Sequence, residues 1–154
     1  MRDNIWLERE LEGIWQRYFP DVEKLNKVEI KFGRKARTRL GSIRSLPDGS
    51  SLVLINSLLK QLQIPDFVIK ATIAHELVHY AHGFSSPHKQ KYSHPHKGSV
   101  VKNDMHQRGM GEILVLQKKW IKNNWKDFLD SNYPITCVSK KIRKRRKRIV
   151  FVFR

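Results

Sequence analysis

Cysteine is almost absent from this 154-residue chain: Cys137 stands alone. A single thiol forms no intramolecular disulfide and cannot build a cysteine-only zinc module, so neither device can hold the fold together. A lone thiol also fits a reducing compartment. Long apolar runs are missing as well. No stretch approaches the ~20 residues of a membrane-spanning helix. The start MRDNIWLERE sets charges where a secretory leader carries its apolar core. Acidic residues are scarce, 14 against 31 Lys and Arg, and none follows Asp130. A net charge of +17 and a pI near 10.3 favour a polyanionic partner, most simply nucleic acid.

The uneven charge divides the chain. Residues 1–138 have the 40% hydrophobic content and the four Trp of a folded domain large enough for a real core. Residues 139–154 form a basic tail, with Lys140, Lys141, Arg143, Lys144, Arg145, Arg146, Lys147 and Arg148 as candidate nucleic-acid-binding residues. Such runs are also common as solvated tails or import signals. The run has no aromatics within it to stack on bases, although Phe151 and Phe153 follow, so it predicts salt-sensitive phosphate binding without sequence readout.

The most informative stretch is Thr72-Ile73-Ala74-His75-Glu76-Leu77-Val78-His79-Tyr80-Ala81. It sets His-Glu-x-x-His in an apolar helical run. Four residues apart on a helix, His75 and His79 lie one turn apart on one face and can reach a single tetrahedral zinc ion. Glu76, about 100° further round, can address a zinc-activated water without ligating the metal, as its general base. Glu76 is the one charged residue between positions 71 and 81. Three polar side chains on so apolar a helix are costly to bury unpartnered, and a metal removes that cost.

A catalytic zinc usually has three protein ligands and a water. Six of the seven histidines fall between His75 and His96. His82 reads as a surface or capping group at the helix end. His94-Pro95-His96 sits where a loop can return beside the first helix, and His96 is favoured as third ligand because Val100, four residues on, could bury the other face of a helix presenting it. His94 and the carboxylates Asp104 and Glu112 stay open as alternatives. His106, Tyr80 and Tyr92 are weaker candidates for contacting a developing oxyanion.

Periodicity predicts an amphipathic helix over residues 4–19, a strand over 28–32, a weaker one over 38–45, a turn at 46–50 and a returning strand over 51–55. A short helix over 58–62 follows. The motif helix should start at Pro65-Asp66, with Asp66 a possible cap, and end near Gly83. Residues 84–95 read as a surface loop, 98–110 and 113–128 as helices, and 133–138 and 149–153 as terminal strands. The class is α+β, a small antiparallel or mixed sheet packed on helices.

Val53-x-Ile55-Asn56-x-x-Leu59, then Pro65 and Phe67-Val68-Ile69, then Ala74-His75-Glu76-Leu77-Val78-His79 resemble the catalytic core of the SprT-like zinc metallopeptidases, over about residues 52–98. The resemblance implies a zincin-like fold, one zinc per chain, and hydrolysis of peptide bonds in proteins trapped on DNA. It also implies a strand ahead of the active helix whose open edge takes an extended substrate. An intracellular location follows, cytoplasmic and DNA-associated, or nuclear in a eukaryote. Two features depart from the family: His96 is followed by Lys97 and Gly98, with Val100 where an aromatic is usual, and no cysteine-rich ribbon can form, so the basic tail would take its place. Two other functions compete. A three-histidine RNA-processing nuclease needs a histidine six beyond the second, where Ser85 stands. A nucleic-acid-binding protein with a structural or vestigial metal would leave Glu76 without a task.

Overall fold

In the computed structural model, residues 2–135 are described, and they fold into two units, Met1–Trp120 and the segment from Ile121 onward. Lys140, Lys141, Arg143, Lys144, Arg145, Arg146, Lys147 and Arg148 lie outside the described residues, as do Cys137 and the strand expected over 149–153.

Helix α1 (Asn4–Tyr18) begins where Asp3 accepts a hydrogen bond from the Trp6 amide at 2.8 Å, and it buries Leu7, Leu11, Ile14 and Trp15 at helical spacing. Three strands follow: β1 (Val28–Phe32), β2 (Gly41–Ser45) and β3 (Ser51–Ile55). β3 lies in the centre, antiparallel to β2 across the Asp48-Gly49 turn and parallel to β1, so the sheet is mixed. Gly49 takes φ +85°, which the turn requires and a side chain would resist. Ser51, Leu52, Val53 and Ile55 are buried, as a central strand demands, whereas β2 lies at the sheet edge and pairs with a strand on one side only among the described residues. A 3₁₀ turn, Ser57–Lys60, is capped by Asn56 and leads to α2 (Asp66–Ala81), the motif helix.

Helix α2 packs against α1, β2, β3, α3 (Val100–Gln107) and α4 (Gly111–Trp120), so twelve of its sixteen residues are buried. Its sequence shows little one-sided patterning because it has almost no solvent face. Asp66 is not its cap. Asp66 is the first helical residue, and its carboxylate pairs with Arg2, whose guanidinium also donates to the Leu59, Gln61 and Ile64 carbonyls at 2.9, 2.8 and 2.6 Å. A buried guanidinium thus satisfies carbonyls that a cap would not have reached.

The long helix expected over 113–128 is instead α4, a π-helical turn at Ile121–Trp125, and α5 (Lys126–Asn132). In the second unit Trp125 and Phe128 stack with centroids 5.4 Å apart. Residues 133–135 form no strand. Among the described residues, no helix is long and apolar enough to cross a membrane.

Candidate metal centre

The end of α2 organises the site. Gly83, at φ +81°, stops the helix in a left-handed turn, with its amide on the Tyr80 carbonyl (3.1 Å) and the Phe84 amide on the His79 carbonyl (2.9 Å). This paired arrangement brings the residue after the glycine back against the last turn, and the Phe84 ring stands edge-on to His79 at 6.3 Å. A Cβ on Gly83 would lie 2.6 Å from backbone atoms of residues 88–90, so only glycine lets the returning loop pass so close. Beyond it, Ser51 Oγ donates to the Ser85 carbonyl (2.6 Å) and the Lys91 amide to the His82 carbonyl (2.9 Å). These bonds pin the loop to the sheet and to the helix end, and they bring its far limb back over the motif.

That limb delivers His96. One ligand nitrogen from each of His75, His79 and His96 falls within 4.8 Å of the others. The Nε2 atoms of His75 and His79 are 3.0 Å apart. The His96 ring lies 5.3 Å from His75 and 4.6 Å from His79. His96 occupies a turn before α3, not a helix as its spacing from Val100 had suggested. His94 is exposed and outside the cluster. Asp104 is engaged elsewhere: His82 Nε2 bonds its Oδ2 at 2.6 Å and Arg108 Nε its Oδ1 at 2.5 Å. Glu112 and His106 border a separate hollow beside Val115 and Leu116. His82, expected at the surface, is only 2% exposed, because Asp104 draws it inward against Tyr92. Tyr80 is fully buried, its hydroxyl donating to Asn26 Oδ1 at 2.8 Å and its ring against Trp15, so neither tyrosine lines the cleft.

The three imidazoles suit a divalent cation. Burial pushes His75 down to about 4, helped by the His96 charge, and His79 down to about 3, helped by His75, His96 and His82. Both are therefore neutral near pH 7, the form that ligates metal. Nitrogens on one tetrahedral zinc, bound at 2.0–2.1 Å, stand about 3.4 Å apart, near the observed separation of the first pair. Nitrogen-only sets of this kind suit zinc and neighbouring transition metals better than magnesium or calcium.

Glu76 is 5% exposed and lines the same cleft. Burial pushes its carboxyl up to about 7, against the pull of Arg39. The cleft, about 840 Å³, runs from residues 38–43 on one side to Phe84, Ser85, Pro95 and His96 on the other. Sequence reasoning missed three of its residues. Gly41 of β2 faces the motif so closely that a Cβ would lie 2.7 Å from Thr72 Cγ2 and 3.0 Å from Glu76 Oε1. Gln117, from α4, donates to Thr72 Oγ1 (3.0 Å) and to the Val68 carbonyl (2.9 Å) at the cleft wall. Arg39 lies at the rim. None has a local signature: Gly41 meets Thr72 and Gln117 meets Val68 and Thr72 only across 31 or more residues of chain, and Arg39 is held through its carbonyl by Asn56.

Comparison of the chain with protein-family models, with curated proteins and with solved structures finds no match. What the site can do therefore follows from its own chemistry.

Proposed function

We propose that the chain is a zinc-dependent metallopeptidase with a zincin-like active site, akin to the SprT-like enzymes, acting on proteins near or bound to nucleic acid. One observation carries the reading: a buried carboxylate, Glu76, shares an open cleft with three converging histidine nitrogens and adjoins the first of them in the chain. A zinc ion held by His75, His79 and His96 would supply Lewis acidity and lower the pKa of a bound water.

The chain's own groups account for the remaining steps. Glu76 accepts the proton of the attacking water and passes it to the leaving amide nitrogen, a task suited to a carboxyl whose pKa burial brings near neutrality. β2 pairs with β3 along one edge only, and Gly41 to Ile43 line the cleft. A peptide laid along that edge gains backbone hydrogen bonds worth about 0.5–1.5 kcal/mol each, which fix its register over Glu76. A purely structural zinc normally has four protein ligands. Among the described residues the cluster offers three, in a cleft open to solvent, which favours catalysis over the structural alternative.

Purified protein should contain about one zinc per chain, and o-phenanthroline should abolish hydrolysis of an unfolded protein such as casein, with zinc restoring it. Native protein free of divalent metal, with chelator-insensitive behaviour, would refute the reading. Gly41→Ala is a finer probe. The added methyl must displace Thr72 or Glu76 or push β2 outward, at about 1–3 kcal/mol. Zinc content should hold while hydrolysis drops at least about tenfold, because sub-ångström placement of a catalytic group matters that much. A Gly41→Ala enzyme of parental activity would show that β2 does not set the position of Glu76.

A further inference from the structure

A second hollow adjoins the cleft. It measures about 590 Å³ and shares Arg39, Leu40, Gly41 and Ser42 with the histidine site. Lys31, Arg34, Arg39 and Arg44 line it, all exposed, and none of the four forms an ion pair within the described residues. The register explains their grouping. Lys31 of β1 and Ser42 of β2 both lie opposite Leu54 of β3, while Arg44 lies opposite Leu52, so Lys31 and Arg44 emerge on the same face of the sheet. Gly41, one residue off this alternation, meets Thr72 and Glu76 of α2 on the other face. Arg34 and Arg39 come from the loop between β1 and β2. No acidic residue occurs between Glu29 and Asp48, and none lines this hollow.

So concentrated a charge does not come from the tail. Of the net +17, nine positive charges follow Asp130, which leaves +8 for the rest of the chain. Four cations crowd one depression, and only Arg39 has a carboxylate, Glu76, near enough to act on, so they repel one another unless an anion joins them. Three are arginines, whose planar forks match phosphate oxygens in pairs. A single strand is flexible enough to bend its phosphates into a depression of this size, which a stiff duplex is not. We propose that the depression bounded by Lys31, Arg34, Arg39 and Arg44 binds the phosphate backbone of a single nucleic-acid strand and leads it to the rim of the histidine cleft. This site is separate from the basic tail, and it stands whether or not the chain proves to be a peptidase.

Fluorescence anisotropy of the full chain with labelled (dT)20 tests it. Arg34→Glu with Arg44→Glu should weaken binding at least tenfold near 0.1 M salt. Losing two phosphate contacts should also flatten the slope of log K against log salt by about 1.4, at about 0.7 per contact for single strands. Lys118→Glu with Lys119→Glu makes the same charge change on exposed positions of α4 and should weaken binding less than threefold. Equal losses in both variants would overturn the proposal, as would a groove variant that binds like the parent. Polyglutamate of equal length should compete poorly; competition matching that of unlabelled (dT)20 would point instead to an acidic peptide and overturn it. Should the charge-reversed chain misfold, the parent still decides the matter. A 4-thiothymidine strand should crosslink within residues 31–44, and crosslinks confined to 140–148 would refute the site.

Discussion

Glu76→Gln is expected to keep zinc at the parental level and to lower kcat for peptide hydrolysis roughly 10²–10⁴-fold, the usual worth of a positioned general base. The substitution preserves shape where shape matters, since even a Cβ added to Gly41 would lie 3.0 Å from Glu76 Oε1. It removes proton-accepting ability while leaving all three imidazoles in place. KM should change little, because Glu76 is asked to act on the water and the leaving nitrogen, not to hold the ground-state peptide. His79→Ala separates the alternatives. It deletes a nitrogen from the cluster, so it should lose both metal and activity, whereas Glu76→Gln loses activity alone. Elemental analysis and a fluorogenic peptide assay on the two variants read this directly. An active Glu76→Gln enzyme would remove the base from the mechanism. A metal-free Glu76→Gln protein would show instead that the carboxylate helps hold the site together.

Much of this arrangement was legible in the sequence, for reasons that differ from element to element. α1 announces itself by apolar residues at helical spacing, and β1 by strict alternation, because each has one dry and one wet face. The β2–β3 hairpin was legible in its turn chemistry. α2 is buried almost all round, so it was recognised by the start signal at Pro65, the stop at Gly83 and the His-Glu-x-x-His spacing within it. His96 was the favoured third ligand on loop geometry, but the turn that carries it could not be read, since it is fixed by loop bonds to β3 and to the end of α2. The parallel pairing of β1 with β3 left no local trace either. Nor did the site's surroundings: Gly41 and Gln117 look like ordinary strand and helix residues until the fold sets them against Thr72. Their contacts are long-range, and long-range contacts are what a one-dimensional pattern does not carry.

Asp104, a plausible metal ligand by sequence, instead holds the fold. It joins three elements: His82 at the end of α2, its own helix α3, and through Arg108 the end of α1. There Arg108 donates to the Tyr18 carbonyl (2.9 Å) and to both oxygens of Asp21 (2.6 and 3.1 Å) and lies over the Phe19 ring at 4.3 Å. Asp104→Ala would leave His82, 2% exposed, facing Arg108 without the carboxylate between them. Breaking a buried pair from one side typically costs about 3–5 kcal/mol. Because Asp104 keeps some solvent contact, the lower end, about 3 kcal/mol, is expected, read as a lower urea midpoint at unchanged m-value. The effect should also depend on pH in a stated direction. Burial would raise the Asp104 carboxyl, but the His82 hydrogen bond and the Arg108 charge outweigh it and hold the group below its ordinary 3.8. The unfolded chain therefore takes up this proton first, so the contribution is complete above about pH 4 and is lost as pH falls through the lower folded value. Urea titrations between pH 7 and pH 2 should show the parent and Asp104→Ala converging in that acid window and parallel above it. Curves that stay parallel to pH 2 would mean that the carboxylate is not what binds α3 to the end of the motif helix.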